Sequence, residues 1–144
     1  MSLFGAISVS ASGMEAQRAR AEVITENLAN ADTTRTPEGG PYKRKDTVFT
    51  TSPAQSSFAD MLSSASGLGD GVMVSDVTVD DRDPERRYMP GHPDADAEGY
   101  VAFPRVNPAE EMVDLMSASR GYQANVAAIS AVKDMIARSI DLFR

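Results

Sequence analysis

Apolar residues recur at alternating intervals of three and four residues near both ends of the chain, and no proline interrupts either run. All eight prolines lie between the two runs. This spacing places the apolar residues along one face of an α-helix. The chain therefore predicts a mainly α fold with a β insert: a helix over residues 1–31, a small β-rich segment over 32–107, and a helix over 108–144.

The first helix has a narrow apolar stripe that Ser10 and Gln17 interrupt. Such a stripe is typical of a helix that packs in a bundle rather than of a free dimeric zipper. The predicted interface positions of this helix are Leu3, Ile7, Met14, Ile24 and Leu28.

The second helix has the stronger packing signal. It begins well, with Asn107 as the N-cap, Pro108 in the first position and Glu110 two residues later. One series repeats every seven residues without a break and consists of Leu115, Tyr122, Ile129, Ile136 and Phe143. A second series fills the partner positions with Met112, Ser119, Val126, Lys133 and Ile140, of which Val126 and Ile140 are predicted interface positions. An intramolecular hairpin of the two helices is an alternative, but it leaves half of each apolar face exposed to water. The pattern favours a coiled-coil-like hairpin or bundle that also self-assembles.

The middle segment contains three predicted strands, over residues 42–50, 71–79 and 100–103. Residues 51–68 are rich in Ser, Ala and Gly and are interpreted as a linker or a short helical segment of low order. The basic run from Tyr42 to Lys45 is too small for nucleic acid and is expected to meet the acidic middle of another subunit.

Charge and composition narrow the function classes. The 144 residues suffice for one domain, and the formal net charge of −7 argues against nucleic acid as a partner. The absence of cysteine excludes disulfides, zinc–thiolate sites and thiol nucleophiles. No run approaches the ~20 apolar residues that cross a bilayer, so no membrane insertion is expected, and a cleaved signal peptide is not expected either.

The candidate chemistry of the middle segment is weak. Asp94, Asp96, Glu98 and Gly99 are spaced like the opening of a calcium loop, but Arg105 stands where the bidentate Glu belongs. His92 is the one histidine, and no nucleophile motif accompanies it. The expectation is no enzyme, no catalytic residue, no cofactor and no metal, with a periplasmic cation-binding module as a minor alternative.

Four segments, in order along the chain, resemble the flagellar rod and hook axial protein family, and in particular its proximal-rod members. The first is Glu-Asn-Leu-Ala-Asn-Ala-Asp-Thr at residues 26–33, and the others span residues 33–42, 88–96 and 107–125. The motif residues of the first three segments are Asn27, Asn30, Pro37, Gly39, Gly40, Pro41, Tyr42, Gly91, His92, Pro93, Asp94 and Asp96. In the fourth, Gly121 stands where a larger residue is expected, which predicts local flexibility of the second helix.

The resemblance implies a structural subunit of the bacterial flagellar basal-body rod, which transmits torque across the periplasm for motility. It implies helical self-assembly through the terminal helices and export without a cleaved signal peptide by the flagellar type III apparatus. Implied partners are further copies and the rod proteins FlgB, FliE, FlgF and FlgG. Asn27 and Asn30 are expected to cap the first helix rather than bond across subunits. Another axial or needle-like protein exported by a type III system is the alternative.

Overall fold

The computed structural model describes residues 3–51 and 71–141. In this part of the chain two long helices flank four short strands: α1 (Leu3–Ala29), β1 (Lys45–Thr51), β2 (Val72–Val79), β3 (Glu85–Tyr88), β4 (Tyr100–Phe103) and α2 (Pro108–Asp141). The predicted mainly α fold with a β insert is confirmed. Phe143 and most of the predicted linker at 51–68 lie outside the described residues, although Thr51 itself closes β1.

Helices α1 and α2 form an antiparallel pair. The beginning of α1 lies beside the end of α2, where Leu3 and Phe4 approach Ile136 and Ile140. At the other end of the pair, Asn27 of α1 contacts the first turn of α2. The intramolecular helix hairpin is therefore present in the single chain.

The face that α2 turns toward α1 differs in part from the predicted seam. Glu111, Ala118 and Val132 are buried, and Leu115, Ile129 and Ile136 of the first predicted series are partly buried. Tyr122 of that series is exposed, as is every member of the second series: Met112, Ser119, Val126, Lys133 and Ile140. The contact with α1 uses residues one position earlier than the second series, turned by about 100°. The assembly role of the second series stays a prediction.

Strands β1 and β2 form an antiparallel hairpin that lies along α1. Their register runs from Lys45 opposite Val79 to Thr51 opposite Val72, with an irregularity between Val48 and Phe49. At the far end of the hairpin, the Val72 amide donates to Ser12 Oγ at 3.0 Å. The predicted strands at 71–79 and 100–103 are confirmed, with β2 beginning at Val72.

The strand prediction differs from the structure in two places: one strand begins later than predicted, and one strand was not predicted. The predicted strand at 42–50 begins only at Lys45, because Tyr42 turns its side chain into the interior. Strand β3 was not expected, since its four residues, Glu-Arg-Arg-Tyr, are all exposed and show no apolar alternation. It exists because it pairs with β4, from Glu85 opposite Phe103 to Tyr88 opposite Tyr100.

The loop between β3 and β4 ends at a glycine that cannot be replaced freely. Gly99 has φ of +86°, and an added Cβ would lie 2.9 Å from the Tyr88 ring. Gly99→Ala should therefore lower the free energy of unfolding by about 1–3 kcal/mol. Gly91→Ala is the matched control in the same loop, because no atom lies within 4 Å of its added Cβ. Urea unfolding of both variants measures this, and equal losses would contradict the strain argument.

Candidate assembly interface

Asn27 is the organising residue of the structure. It is fully buried and uses both ends of its amide. Its Nδ2 donates to the Lys45 carbonyl at 2.8 Å and to Glu111 Oε2 at 3.2 Å. Its Oδ1 accepts from the Tyr42 hydroxyl and from the Lys45 amide, both at 2.9 Å. One side chain thereby joins α1, the start of β1 and α2.

Glu111 completes this arrangement from the first turn of α2. Its side chain is 1% exposed, and Arg44 Nε donates to its Oε1 at 2.6 Å. A buried carboxylate is tolerated only with a charged partner and satisfied oxygens, and Glu111 has both. We call Asn27, Tyr42, Arg44, Lys45 and Glu111 the polar junction.

Arg44 extends the polar junction toward the surface. Its guanidinium also contacts Asp46 at 3.2 Å and Asp114 at 3.9 Å, and Arg20 of α1 reaches Asp114 at 3.4 Å. Burial works to lower the pKa of Arg44, but the hydrogen bond and charge of Glu111 together with Asp46 outweigh it and raise the pKa. The Arg44 guanidinium is therefore charged at any physiological pH.

Tyr42 provides a pH-dependent readout of the polar junction. Burial, with the nearby charges of Glu26 and Glu111, raises its pKa from 10.0 to about 12. Because the folded state holds this proton more tightly than the unfolded chain, stability present below pH 10 should be lost as the pH rises from about 10 to about 12.

The Tyr42→Phe variant tests this. It removes the hydroxyl that donates to Asn27, so we expect a loss of about 1 kcal/mol at neutral pH and a shallower alkaline decline. The difference in tyrosinate absorbance between wild type and variant isolates the titration of Tyr42. A midpoint near 10 in that difference would show that the hydroxyl is not buried as described.

The expected cap is formed by Asn30 and not by Asn27. Asn30 Nδ2 donates to the Glu26 carbonyl at 2.9 Å, and Thr33 Oγ1 donates to Asn30 Oδ1 at 3.2 Å. The cap expectation is wrong for Asn27, which bonds to other elements. Within the chain, the basic run pairs with acidic residues of the same molecule: Lys43 with Asp81, Arg44 with Glu111 and Lys45 with Glu26. Its expected contact with another subunit stays a prediction.

The motif after α1 forms a glycine turn. The Thr36 amide donates to the Gly40 carbonyl at 2.8 Å, and the Gly39 amide donates to the Thr36 carbonyl at 3.0 Å. Gly39 and Gly40 have φ of +91° and +79°, which favour glycine. The turn, flanked by Pro37 and Pro41, directs Tyr42 back toward Asn27.

The motif in the β3–β4 loop holds this loop against the segment after α1. Asp94 accepts from Thr34 Oγ1 at 2.8 Å and pairs with Arg35 at 3.4 Å. The backbone amide of Asp94 donates to His92 Nδ1 at 3.2 Å. Two further motif residues of this loop, Gly91 and Pro93, are exposed.

Asp96 is committed to the same loop. It accepts from the backbone amides of Glu98 and Tyr100 at 2.9 and 2.8 Å. The Tyr100 amide is the main cause of the lowered pKa of Asp96. The two aspartates that resembled a calcium loop are thus engaged by protein donors, and the described residues contain no cluster of three or more potential metal ligands.

Two separate pockets lie on the same side of the helix pair, and we call this side the seam groove. Its central part, one pocket, has a volume of about 550 Å³, and the other pocket, of about 250 Å³, lies at the far end. The central part is lined by Gln17, Arg18, Ala21, Leu115, Ala118, Ser119 and Tyr122, and the far end by Leu3, Phe4, Ile136, Ser139 and Ile140. The β1–β2 hairpin occupies the other side of α1, next to Glu15, Ala16 and Ala19.

The predicted seams of both helices point toward this groove. At about 100° per residue, Ile7, Met14 and Leu28 lie on the same side of α1 as Ala21. They are partly buried, and Ile24 is buried because it lies closer to α2. On α2, the exposed residues Val126 and Ile140 lie on the groove side. The second predicted series therefore borders the groove, although it does not contact α1.

Further exposed apolar side chains continue around α2. Met112, Val113 and Met116 are each more than half exposed. Burying a large apolar side chain stabilises a complex by about 1.5–3 kcal/mol relative to leaving it exposed. None of the described helices has a stretch apolar and long enough to span a membrane.

Two family models match the ends of the chain, where the helices lie. The model described as "Flagella basal body rod protein" matches residues 7–35, and "Flagellar basal body rod FlgEFG protein C-terminal" matches residues 97–142. The two matches include Asn27 and Glu111 respectively.

Curated relatives match over the full length. The flagellar basal-body rod protein FlgC of Bacillus subtilis is 43% identical, with 99% of each chain covered. FlgC of Borreliella burgdorferi is 38% identical over 100% of this chain and 99% of the relative. FlgC of Salmonella typhimurium is 40% identical over 99% and 98%.

Proposed function

The chain belongs to the FlgC family of flagellar basal-body rod proteins, and from this premise we propose that it is a non-catalytic mechanical subunit that assembles helically through its two terminal helices. It is a structural subunit of the rod and belongs to the flagellar basal body, where it assembles with other rod components.

The seam groove carries the proposal. No helix among the described residues covers this groove, which is bordered by apolar positions of α1 and α2, and α2 offers exposed apolar residues on other sides. Docking of neighbouring subunits along α2 would bury these surfaces over about 51 Å, at ~1.5 Å per residue for its 34 residues. Contacts spread over such a length suit the transmission of torque.

The polar junction contributes rigidity within each subunit. It connects α1, β1 and α2 by charge-assisted and amide hydrogen bonds that are buried or partly buried. Because buried polar networks tolerate few alternative arrangements, this junction supports a fixed angle between the helix pair and the β1–β2 hairpin. A fixed angle lets torque on the helices reach the hairpin without deforming the subunit.

Export and partners follow from the family assignment and remain proposals. We propose that the chain leaves the cytoplasm through the flagellar type III apparatus without a cleaved signal peptide and spans the periplasm in the rod. Its neighbours would be further copies together with FlgB, FliE, FlgF and FlgG. The alternative is another axial or needle-like protein exported by a type III system. The motif at residues 88–96 favours the rod subunit, because such an alternative protein would share the terminal helices but not this motif.

Deletion of the gene followed by imaging of basal bodies tests the proposal. We expect basal bodies without a complete rod and non-motile cells, both restored by the wild-type chain. Val126→Glu, on the groove side of α2, should fail to restore motility although the purified chain keeps its helicity. Ala97→Glu is the control, since it changes an exposed residue of the β3–β4 loop, outside both helices. Intact rods in the deletion strain would refute the assignment.

A further inference from the structure

Hydrogen bonds from α1 hold the β1–β2 hairpin at both of its ends. At the Lys45 end, Asn27 accepts from the Lys45 amide at 2.9 Å and donates to the Lys45 carbonyl at 2.8 Å. At the opposite end, Ser12 Oγ accepts from the Val72 amide at 3.0 Å. Asn27 belongs to the polar junction, and Ser12 lies outside it. The hairpin is therefore attached to α1 at two separate points.

The spacing of these two anchors on α1 matches the length of the hairpin. Ser12 and Asn27 are fifteen residues apart in the sequence. At ~3.6 residues per turn and ~1.5 Å per residue, they lie on nearly the same side of the helix, about 22 Å apart. Lys45 and Thr51, which lies opposite Val72, are about 20 Å apart at ~3.4 Å per residue. Both bonds therefore form together only when the hairpin lies along the helix.

The contact at Ser12 is close and directional. Besides accepting from the Val72 amide, its hydroxyl donates to the Val9 carbonyl at 2.8 Å, so two hydrogen bonds fix its orientation. Gly71 lies directly against it, because an added Cβ at Gly71 would be 2.6 Å from Ser12 Oγ. Gly71 does not have a positive φ. The close approach to Ser12, rather than an unusual backbone conformation, therefore explains the glycine.

Side-chain packing restrains the Val72 end of the hairpin only weakly. A cavity of about 360 Å³ lies between α1 and β2, lined by Glu15, Ala16 and Ala19 on the helix and by residues 72–74 on the strand. Alanine side chains are short, so few atoms interlock across this contact. A small shift of β2 over the alanines would change little apolar contact, but it would break the bond to Ser12. The position of this end therefore depends on Ser12.

We propose that Ser12 is a positioning residue that holds the Val72 end of the hairpin on α1 and prevents the hairpin from pivoting about Asn27. One anchor fixes the location of the hairpin, and a second anchor at a distance fixes its direction as well. Under torque, the hairpin then turns together with the helix pair. The effect on motility rests on the proposed function, whereas the positioning within the chain does not.

Distances between spin labels, measured by pulsed electron paramagnetic resonance on the purified full chain, test the anchor. The chain has no cysteine, so introduced cysteine pairs can be labelled selectively. One pair joins Gln123→Cys on α2 to Met73→Cys at the Val72 end of the hairpin. The other joins Gln123→Cys to Val79→Cys, which lies opposite Lys45. All three positions are exposed. Without further changes, both distance distributions should be narrow.

Ser12→Ala should affect the two distances differently. We expect the distribution to Met73 to become about twice as wide, because the Val72 end is released, and the distribution to Val79 to stay unchanged, because Asn27 still holds that end. Ser12→Thr keeps a hydroxyl and should preserve the narrow distribution. Ser8→Ala, an exposed serine one turn earlier, is the matched control and should have no effect. Unchanged widths with Ser12→Ala, or equal broadening of both distances, overturn the proposal.

Gly71→Ala tests the same contact from the strand. Its Cβ displaces the Ser12 hydroxyl from the Val72 amide, so the distribution to Met73 should broaden as it does with Ser12→Ala. The double variant should be no broader than Ser12→Ala alone, because the anchor is already lost. Additive broadening in the double variant would show that the two residues act through different contacts and would exclude the anchor.

Motility in the deletion strain tests the consequence for the rod. Ser12→Ala should reduce the swimming rate to less than half of that with the wild-type chain, and Ser12→Thr and Ser8→Ala should restore it fully. A released Val72 end combined with full motility would overturn the role of Ser12 in the rod. Failure of the wild-type chain itself to restore motility would count against the proposed function instead, and it would leave the distance measurements unaffected.

Discussion

Asn27→Ala is expected to lower the free energy of unfolding by about 3–5 kcal/mol and to abolish motility. The substitution removes four hydrogen bonds and leaves the Lys45 carbonyl, the Tyr42 hydroxyl and Glu111 Oε2 short of a partner in the interior. Each unsatisfied buried group costs about 1–3 kcal/mol, although relaxation keeps the total below their sum. Urea unfolding followed by circular dichroism measures the loss.

Asn30→Ala is the matched control for Asn27→Ala. Asn30 is the same residue type, one turn later, but its Nδ2 bonds only locally to the Glu26 carbonyl. We expect a loss of about 1 kcal/mol, as for other helix-terminal hydrogen bonds. If the two variants were equally destabilised, the special position of Asn27 in the structure would have no energetic consequence.

Glu111→Ala should lower the free energy of unfolding by about 3–5 kcal/mol. It leaves the partly buried Arg44 without the carboxylate that its Nε contacts at 2.6 Å, and breaking a buried ion pair from one side is costly. Equilibrium unfolding again measures the effect. The double variant Arg44→Met with Glu111→Met should recover part of the loss, because no charge then remains unpaired in the interior.

The neighbouring Glu110 provides the control for this prediction. Glu110 is exposed in the same first turn of α2, so Glu110→Ala removes a similar favourable interaction with the helix dipole without touching Arg44. A loss of about 0.3–1 kcal/mol is expected. A loss at Glu111 no larger than that at Glu110 would mean that the ion pair with Arg44 does not hold α2 in place.

The sequence was sufficient for the helices and for their order around a β insert. Proline placement and apolar periodicity are local properties, and they predicted α1 to within two residues of its end and α2 to its first residue. Strand β3 was missed because its side chains are exposed on both faces. Its backbone pairs with β4, and that pairing depends on the folded chain.

The seam prediction found the apolar positions but not their partners. Leu115, Ile129 and Ile136 pack toward α1 as periodicity suggests. Periodicity alone did not reveal that Glu111, a charged residue, begins the series that faces α1 and continues with the buried Ala118, the partly buried Asn125 and the buried Val132. A signal was present, since these four residues are spaced by seven. A charged first member concealed it, because burial of Glu111 requires Arg44, which is 67 residues away in the chain.

The polar junction was the least predictable part. Asn27 belonged to a recognised motif, but its role depends on the backbone of Lys45 and on a carboxylate 84 residues later. Hydrogen-bond satisfaction is a property of three-dimensional neighbours, so an asparagine near a helix end looked like a cap. Asn30 is that cap, and no local pattern distinguished it from Asn27.

The antiparallel pairing of the first and last elements also has a consequence for the time course of folding. The contacts that hold α1 to α2 join residues 84 and 94 positions apart, as in Asn27 with Glu111 and Arg20 with Asp114. Closing so long a loop has a high entropic cost, and topologies dominated by such distant contacts fold slowly. When the chain emerges progressively from one end, the terminal helix that emerges first has no partner until nearly the whole chain has emerged. Folding of the subunit is therefore a late event that coincides with the arrival of the last helix.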